Sequence, residues 1–180
     1  MRKRVRLKRY AIHVLPVPAI GPDVFDTPWE KNAIICCAEQ TNRFLEGGHL
    51  RHKMILPFLD VEDKTVPGAF NGAHARAIIR FLQSLPDSVT DIYFCCSKGG
   101  SRSPALAAAI LRASGRSDAD VWKNPFYVPN TLVYFRMRRE LGRYIPYFAV
   151  LRKKRMNEKQ FRKAKRRGDS GEYERWIIFD

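Results

Sequence analysis

Cys96 stands six positions before Arg102, with Gly99 and Gly100 between them, in the stretch DIYFCCSKGGSRSPALAAAILRASG that covers residues 91–115. A cysteine and an arginine joined by a glycine-containing loop suit chemistry on a phosphoryl group. The sulfur can attack phosphorus, and the guanidinium can grip two of its oxygens at once. Gly99 and Gly100 accept the positive φ angles that turn successive backbone N–H groups inward as an anion nest. A helix that starts straight after the loop adds unpaired donors and the positive end of its dipole. The same field favours thiolate over thiol at Cys96. Ser97, Lys98, Gly99, Gly100, Ser101 and Arg102 are therefore the candidate phosphate-binding residues, with Cys96 as the nucleophile.

Spacing alone is a weak signal. With four cysteines and this arginine content, chance gives about half a match per chain, and Cys37 with Arg43 repeats the interval. That second string, CAEQTNR, has no glycine and carries Glu39, whose charge would repel a phosphate, so it reads as coincidence. Around Cys96 the glycines, Ser103 and the flanking elements all agree. Ile92, Tyr93 and Phe94 lead in as a strand, and an alanine- and leucine-rich helix leaves through Pro104, at home in a first helical turn, and stops at Gly115.

Release of an alkoxide or phenoxide needs a proton donor, and the acidic string LDVED at residues 59–63 offers three. If the apolar run 54–58 is a strand, alternation puts Leu56, Phe58 and Asp60 on one face, with Asp60 leaving its carboxyl end. A parallel arrangement with the strand ending at Cys96 would bring both to the same sheet edge, where open α/β sheets bind ligands. Asp60 is the preferred acid, Asp63 the rival and Glu62 a more distant third; the plain alternative is a solvated acidic turn.

The string CCSKGGSRS, residues 95–103, resembles the signature of the cysteine-dependent protein tyrosine phosphatases, in particular the small dual-specificity type and its bacterial and phage relatives. That signature is histidine, cysteine, two variable residues, glycine, two variable residues, arginine, then serine or threonine. Cys95 occupies the place of the histidine, which in the family helps fix the loop. The likeness extends through MILPFLDVEDKTVPGAFNGAHARAIIRFL and NPFYVPNTLVYFRMRREL, across residues 33–142. It implies a compact protein-tyrosine-phosphatase-like α/β domain with a mostly parallel central sheet flanked by helices. It also implies a general acid directly after the apolar run, at Asp60, and a Ser103 hydroxyl that assists the departing thiolate. Asn130 matches an asparagine of the bacterial members; it would bond behind the loop or cap a helix. The expected activity is hydrolysis of a phosphorylated protein or small phosphomonoester through a cysteinyl-phosphate, with no metal and no cofactor. The paired loop lysines of inositol-lipid phosphatases are missing, since only Lys98 is present. Two alternatives stay open: a non-catalytic phosphate- or nucleic-acid-binding module on the same scaffold, and a phosphatase acting on RNA ends. A redox gate joining Cys96 to Cys36, Cys37 or Cys95 is a further one.

The positioning elements follow from periodicity. Strands are expected over residues 10–17, 33–37 and 54–58 besides the one entering Cys96, and Pro16 and Pro18 end the first or place it at an edge. Residues 20–31 read as loop, 37–48 as a short helix stopped by Gly47 and Gly48, and 66–72 as a turn. AHARAIIRFLQSL carries Ala75, Ile79, Leu82 and Leu85 at helical spacing, and its His74 suits solvent or a capping contact. SDADVW looks like a capped helix start at Ser117, and TLVYFRMRRELG a helix stopped by Gly142.

At 180 residues and 45% hydrophobic content the chain is one globular domain with a sizeable core. Its net charge of +15 sits at the ends: residues 1–9 and 152–180 contribute +6 each, and residues 10–151 only +3. The reading is a basic arm at 1–9, a phosphatase-like domain at 10–151 and a basic extension at 152–180. Ten of the sixteen residues from 152 to 167 are Lys or Arg. A solvated helix face explains that run, and contact with nucleic acid or an acidic surface is the functional alternative. The closing YERWIIFD is apolar enough to dock on the body. The four cysteines form two vicinal pairs, which suit neither a disulfide framework nor a zinc site and point to the reducing cytoplasm. MRKRVRLKR before YAIHVLPVPAI reads as a basic arm leading into a strand, because His13 and two prolines interrupt the apolar run. No window approaches the roughly 20 apolar residues of a membrane-spanning helix.

Overall fold

Three apolar segments, AIHVLP, NAIIC and DIYFCC, form the middle of the molecule, because their β-branched and aromatic side chains suit a pleated surface buried on both faces. The computed structural model describes residues 5, 7–25, 27–168 and 178–179. Strands β1 (Ala11–Pro16), β2 (Asn32–Cys36), β3 (His52–Ile55) and β4 (Asp91–Cys96) are parallel. A two-residue β5 (Ile178–Phe179) pairs antiparallel with β1, giving the order β3-β2-β4-β1-β5. Among the described residues six α-helices accompany the sheet: α1 (Arg43–Glu46), α2 (Gly72–Ser84), α3 (Arg102–Ala113), α4 (Ala119–Lys123), α5 (Thr131–Glu140) and α6 (Tyr147–Arg167). The result is an α/β architecture with a parallel central sheet flanked by helices.

Alternation along each strand sends neighbours to opposite faces. Ile12, Val14, Ala33, Ile35, Cys37, Ile92, Phe94 and Cys96 join the larger core under α2, α3, α5 and α6. Leu15, Ile34, Cys36, Tyr93 and Cys95 face a smaller core closed by Leu45 of α1 and by Val17 and Ile20. Cys96 therefore points toward the helices and Cys95 away from them. Helix α3 is buried along almost its whole length, and Ala105, Ala107, Ala108 and Ala109 let it lie close to both the sheet and α5. Each fully buried aliphatic or aromatic side chain beneath it contributes about 1.5–3 kcal/mol.

Three expectations change. The third strand ends at Ile55, not at 58; Leu56 to Phe58 continue as loop, with Leu56 N–H donating to Cys36 O at 2.8 Å and Phe58 buried, so strand alternation does not place Asp60. Proline ends β1 at Pro16, but β1 lies inside the sheet between β4 and β5, because its last residue gives up only a terminal ladder bond. The boundary at 152 falls inside α6, which is one continuous helix with Val150, Asn157 and Ala164 buried. Asn157 Nδ2 donates to the carbonyls of Trp122 and Asn124, each at 3.1 Å, and Lys153 Nζ bonds Asp118 at 3.1 Å. The basic segment is thus part of the body. At the other end Val5 N–H donates to Leu141 O at 3.1 Å and Lys8 Nζ to Val89 O at 3.0 Å, so this part of the arm is packed too. Residues 1–4 and 6 of the arm, and most of the closing YERWIIFD, lie outside the described residues. No described helix is long and apolar enough to cross a membrane.

Candidate active site

The chain leaves β4 at Cys96, turns through residues 97–101 and enters α3 at Arg102. Gly99 makes the turn possible. Its φ is +66°, and a Cβ there would lie 2.7 Å from Pro16 N and 2.9 Å from Leu15 C, so the loop rests directly on the backbone at the end of β1. Gly100 stays outside the positive-φ region. Gly99 N–H donates to Cys96 O at 3.3 Å, and of the six loop residues expected to bind phosphate it is the one that does not line the cleft. The segment after α4 supports the far side of the loop, with Val128 N–H donating to Gly100 O at 2.8 Å and Asn130 N–H to Ser101 O at 3.2 Å.

Above the loop opens a cleft of about 450 Å³. Its floor is Cys96, Ser97, Lys98, Gly100, Ser101 and Arg102, its acidic rim is Asp60, and its apolar wall is Phe126 with Val128. Cys96 is almost fully buried, and its Sγ lies 3.1 Å from Ser103 Oγ.

Arg102 is anchored more firmly than its sequence setting suggests. Nη1 donates to Phe58 O at 2.6 Å, Glu39 Oε1 at 2.8 Å and Cys37 O at 2.9 Å, and Nη2 donates to Ser97 Oγ at 2.9 Å. Nε is buried with no hydrogen-bond partner, 4.0 Å from Asp60 Oδ2. One edge of the guanidinium is thus fixed by the ends of β2 and of the β3 loop, and Nε remains an unpaired donor beside the cleft. Burial works to lower the Arg102 pKa, but the Glu39 hydrogen bond and the nearby Cys96 and Asp60 outweigh it and raise it.

Of the three acids, Asp60 alone lines the cleft. Its Oδ1 accepts from Ser101 Oγ at 2.8 Å and Asn130 Nδ2 at 2.9 Å. Asp63 is turned to its own loop, accepting from Thr65 N–H at 2.9 Å and Thr65 Oγ1 at 2.7 Å, bonds that hold its carboxyl below the usual range. Glu62 accepts from Thr131 N–H at 3.0 Å and pairs with Lys154. Burial pushes its pKa up, and those two partners bring it below normal. Asn130 takes the capping role suggested for it, its side-chain oxygen accepting from Val133 N–H at 3.1 Å at the start of α5; its side-chain amide holds Asp60, and it meets the loop through its backbone N–H alone.

The other thiols separate clearly. Cys37 shares the helical side with Cys96, and burial, followed by the proximity of Cys96 and Cys36, pushes its thiol well up. Cys95 pairs with Cys36 across the opposite face; that hydrogen bond and burial raise its pKa well above normal. Of the disulfide partners considered for Cys96, only Cys37 lies on its side of the sheet.

Glu39 has a role that its sequence setting does not show. Read as a charge that repels phosphate, it sits three positions past β2, on the rim that collects ligands in parallel sheets, and neutralises the buried guanidinium. Phe126 and Val128 carried no signal in the string NPFYVPN. Among the described residues no group of three or more His, Cys, Asp or Glu could hold a metal ion. The chain matches no protein-family model and no curated protein.

Proposed function

We propose that the chain is a cysteine-dependent phosphoric monoester hydrolase of the protein-tyrosine-phosphatase type, with the small dual-specificity fold its loop sequence resembles. The observation that carries this reading is the convergence on one cleft of a buried Cys96, a Ser103 hydroxyl 3.1 Å from its sulfur, an Arg102 with an unpaired Nε, and Asp60 on the rim. Cys96 thiolate attacks phosphorus; the S–P bond forms as the ester P–O bond breaks, and Asp60 gives its proton to the leaving oxygen. Loop amides and the Nε edge of Arg102 stabilise the equatorial oxygens. Water then attacks phosphorus and yields its proton to Asp60, the S–P bond breaks, and the Ser103 hydroxyl bonds the departing thiolate. The apolar wall of Phe126 and Val128 suits an aryl group, so phosphotyrosine in a protein, or a small aryl phosphate, is the favoured substrate. Four free thiols suit a reducing compartment, the cytoplasm.

The test is hydrolysis of p-nitrophenyl phosphate in EDTA. Turnover that persists in the chelator and vanishes in Cys96→Ser supports the proposal. Activity that survives the substitution, or tight phosphate binding by the native chain without turnover, overturns it, the latter in favour of a binding module.

A further inference from the structure

Helix α6 has a charged face that the catalytic reading does not use. Its buried residues Val150, Asn157 and Ala164 define the side turned to the body. On the opposite side, at helical spacing, stand Phe148, Arg152, Arg155, Lys159, Arg162 and Arg166, all exposed. They form one row about 27 Å long at about 1.5 Å per residue. An open cleft of about 700 Å³ is lined by Arg155, Lys159, Arg162, Lys163, Arg166 and Arg167, with no acidic side chain among its described residues. Among the described residues, Arg162 is the one member of the row with a carboxylate neighbour, Glu158 at 3.8 Å. The row begins at aromatic rings: Phe148 is 74% exposed and Tyr144, just before the helix, 75%.

We propose that this face binds a single-stranded nucleic acid, with Arg155, Lys159, Arg162 and Arg166 on successive phosphates and a base stacked on Phe148. A linear row of cations fits a linear polyanion: steps of three or four residues are about 4.5–6 Å along the helix, longer than the roughly 3.4 Å of a stacked strand, so the strand lies extended along the row. Exposed rings continuous with the row supply the stacking that a charge-only surface lacks. A membrane fits less well, because a helix lying on lipid needs its apolar face free and here that face is docked on α4 and its flanking loop. The helix also reaches the candidate active site: Tyr147 OH lies 3.5 Å from Thr131 Oγ1 and Lys154 pairs with Glu62, two residues beyond Asp60. Binding on this face does not require the chain to be a phosphatase.

The experiment is a fluorescence-anisotropy titration of the full chain with a labelled uridylate 20-mer between about 50 and 300 mM salt. Competition uses phosphatidylserine vesicles and polyglutamate of equal charge. With Lys163 and Arg167 of the same cleft also on phosphates, six contacts give a slope of log K against log salt of about −4. Arg155→Glu/Lys159→Glu/Arg162→Glu/Arg166→Glu lowers affinity by about a hundredfold or more and brings the slope near −1.4. Replacement of the same four by Gln reduces the slope similarly. Phe148→Ala weakens binding by about fivefold or more with the slope unchanged. All of these residues are exposed, so unchanged thermal melting checks that the variants fold. A slope near zero, affinity indifferent to both quadruple variants, no effect of Phe148→Ala, or preference for vesicles or polyglutamate over the oligonucleotide overturns the proposal.

Discussion

Asn130 joins the stability of the fold to the placement of the candidate acid, and two substitutions separate these effects. Its Oδ1 caps α5 through Val133 N–H, and its Nδ2 donates to Asp60 Oδ1 at 2.9 Å and Val61 O at 3.2 Å from a nearly buried position. Asn130→Ala removes all three bonds. Losing the cap costs about 1 kcal/mol, and each of the other two about 1 kcal/mol, the carboxylate bond being discounted because Asp60 is partly exposed. The total of about 3 kcal/mol lowers Tm by roughly 6–12 °C in a chain of this size. Asn130→Ser retains a side-chain oxygen for the cap but cannot reach Asp60, so it loses about 2 kcal/mol. In both variants Asp60 keeps only the Ser101 hydroxyl on that oxygen. Looser placement of the acid raises the barrier by about 1.4 kcal/mol, roughly tenfold in kcat. The loss is larger for phenyl phosphate than for p-nitrophenyl phosphate, whose leaving group needs less help from an acid. Urea unfolding and kcat on the two substrates are the assays. If Asn130→Ser turns over phenyl phosphate like the native chain, Asn130 does not position the acid and cap and acid are not coupled.

Gly99→Ala combines a left-handed backbone, costing about 1–2 kcal/mol, with a Cβ that meets Pro16 N at 2.7 Å. A Tm loss of about 3–8 °C and a kcat loss of about a hundredfold are expected, while Gly100→Ala, whose nearest neighbour would be Phe126 O at 3.7 Å, melts like the native chain. Glu39→Gln removes a charge whose side chain is 43% exposed and leaves Arg102 held by Cys37 O, Phe58 O and Ser97 Oγ. A pair of that exposure is worth up to about 1 kcal/mol, so kcat/KM changes by less than about fivefold; a loss above a hundredfold would mean that the carboxylate takes part in the chemistry. His74 Nδ1 accepts from Asn71 N–H at 3.2 Å in the cap of α2, and burial lowers the pKa of the ring. The unfolded chain therefore binds the proton first: this contribution is complete above about pH 6.5 and is lost as pH falls through the lowered native value. Thermal melts between about pH 5 and 8 check it, and His74→Gln, which can still complete the cap, flattens that part of the profile.

What was legible from sequence was local, and what was missed depends on contacts distant along the chain. Cys96, the glycines and Arg102 lie in one strand–loop–helix, so spacing conveys their geometry. Arg102 with Glu39, and Asp60 with Asn130, are separated by 63 and 70 positions, and no periodicity links them. The run 54–58 reads as a strand because Phe58 prolongs its apolar pattern, yet only Met54 and Ile55 pair in the ladder, and Phe58 is buried as loop against Phe70 and His74. The basic segment looked like an extension because its docked face consists of Val150, Asn157 and Ala164, a row too polar and too small to show an apolar stripe. The buried Asn157 is satisfied by two carbonyls that the sequence does not identify.

The strand order explains why the loop can be held so firmly. In the order β3-β2-β4-β1, the strand ending at Cys96 has a parallel neighbour on each side, and all four carboxyl ends open on one rim. Each contributes a support there. The end of β1 stops the loop at Gly99, the residue after β2 accepts from Arg102 through Cys37 O, and the chain beyond β3 does so through Phe58 O. Nη1 is thus committed to three acceptors, which fixes the guanidinium plane and leaves Nε as the donor that an anion would meet under the proposed function. A lysine could supply the charge but not two differently directed edges. At the sheet's margin, β4 would lose one of these flanks, and the loop would have to order itself at the moment of binding.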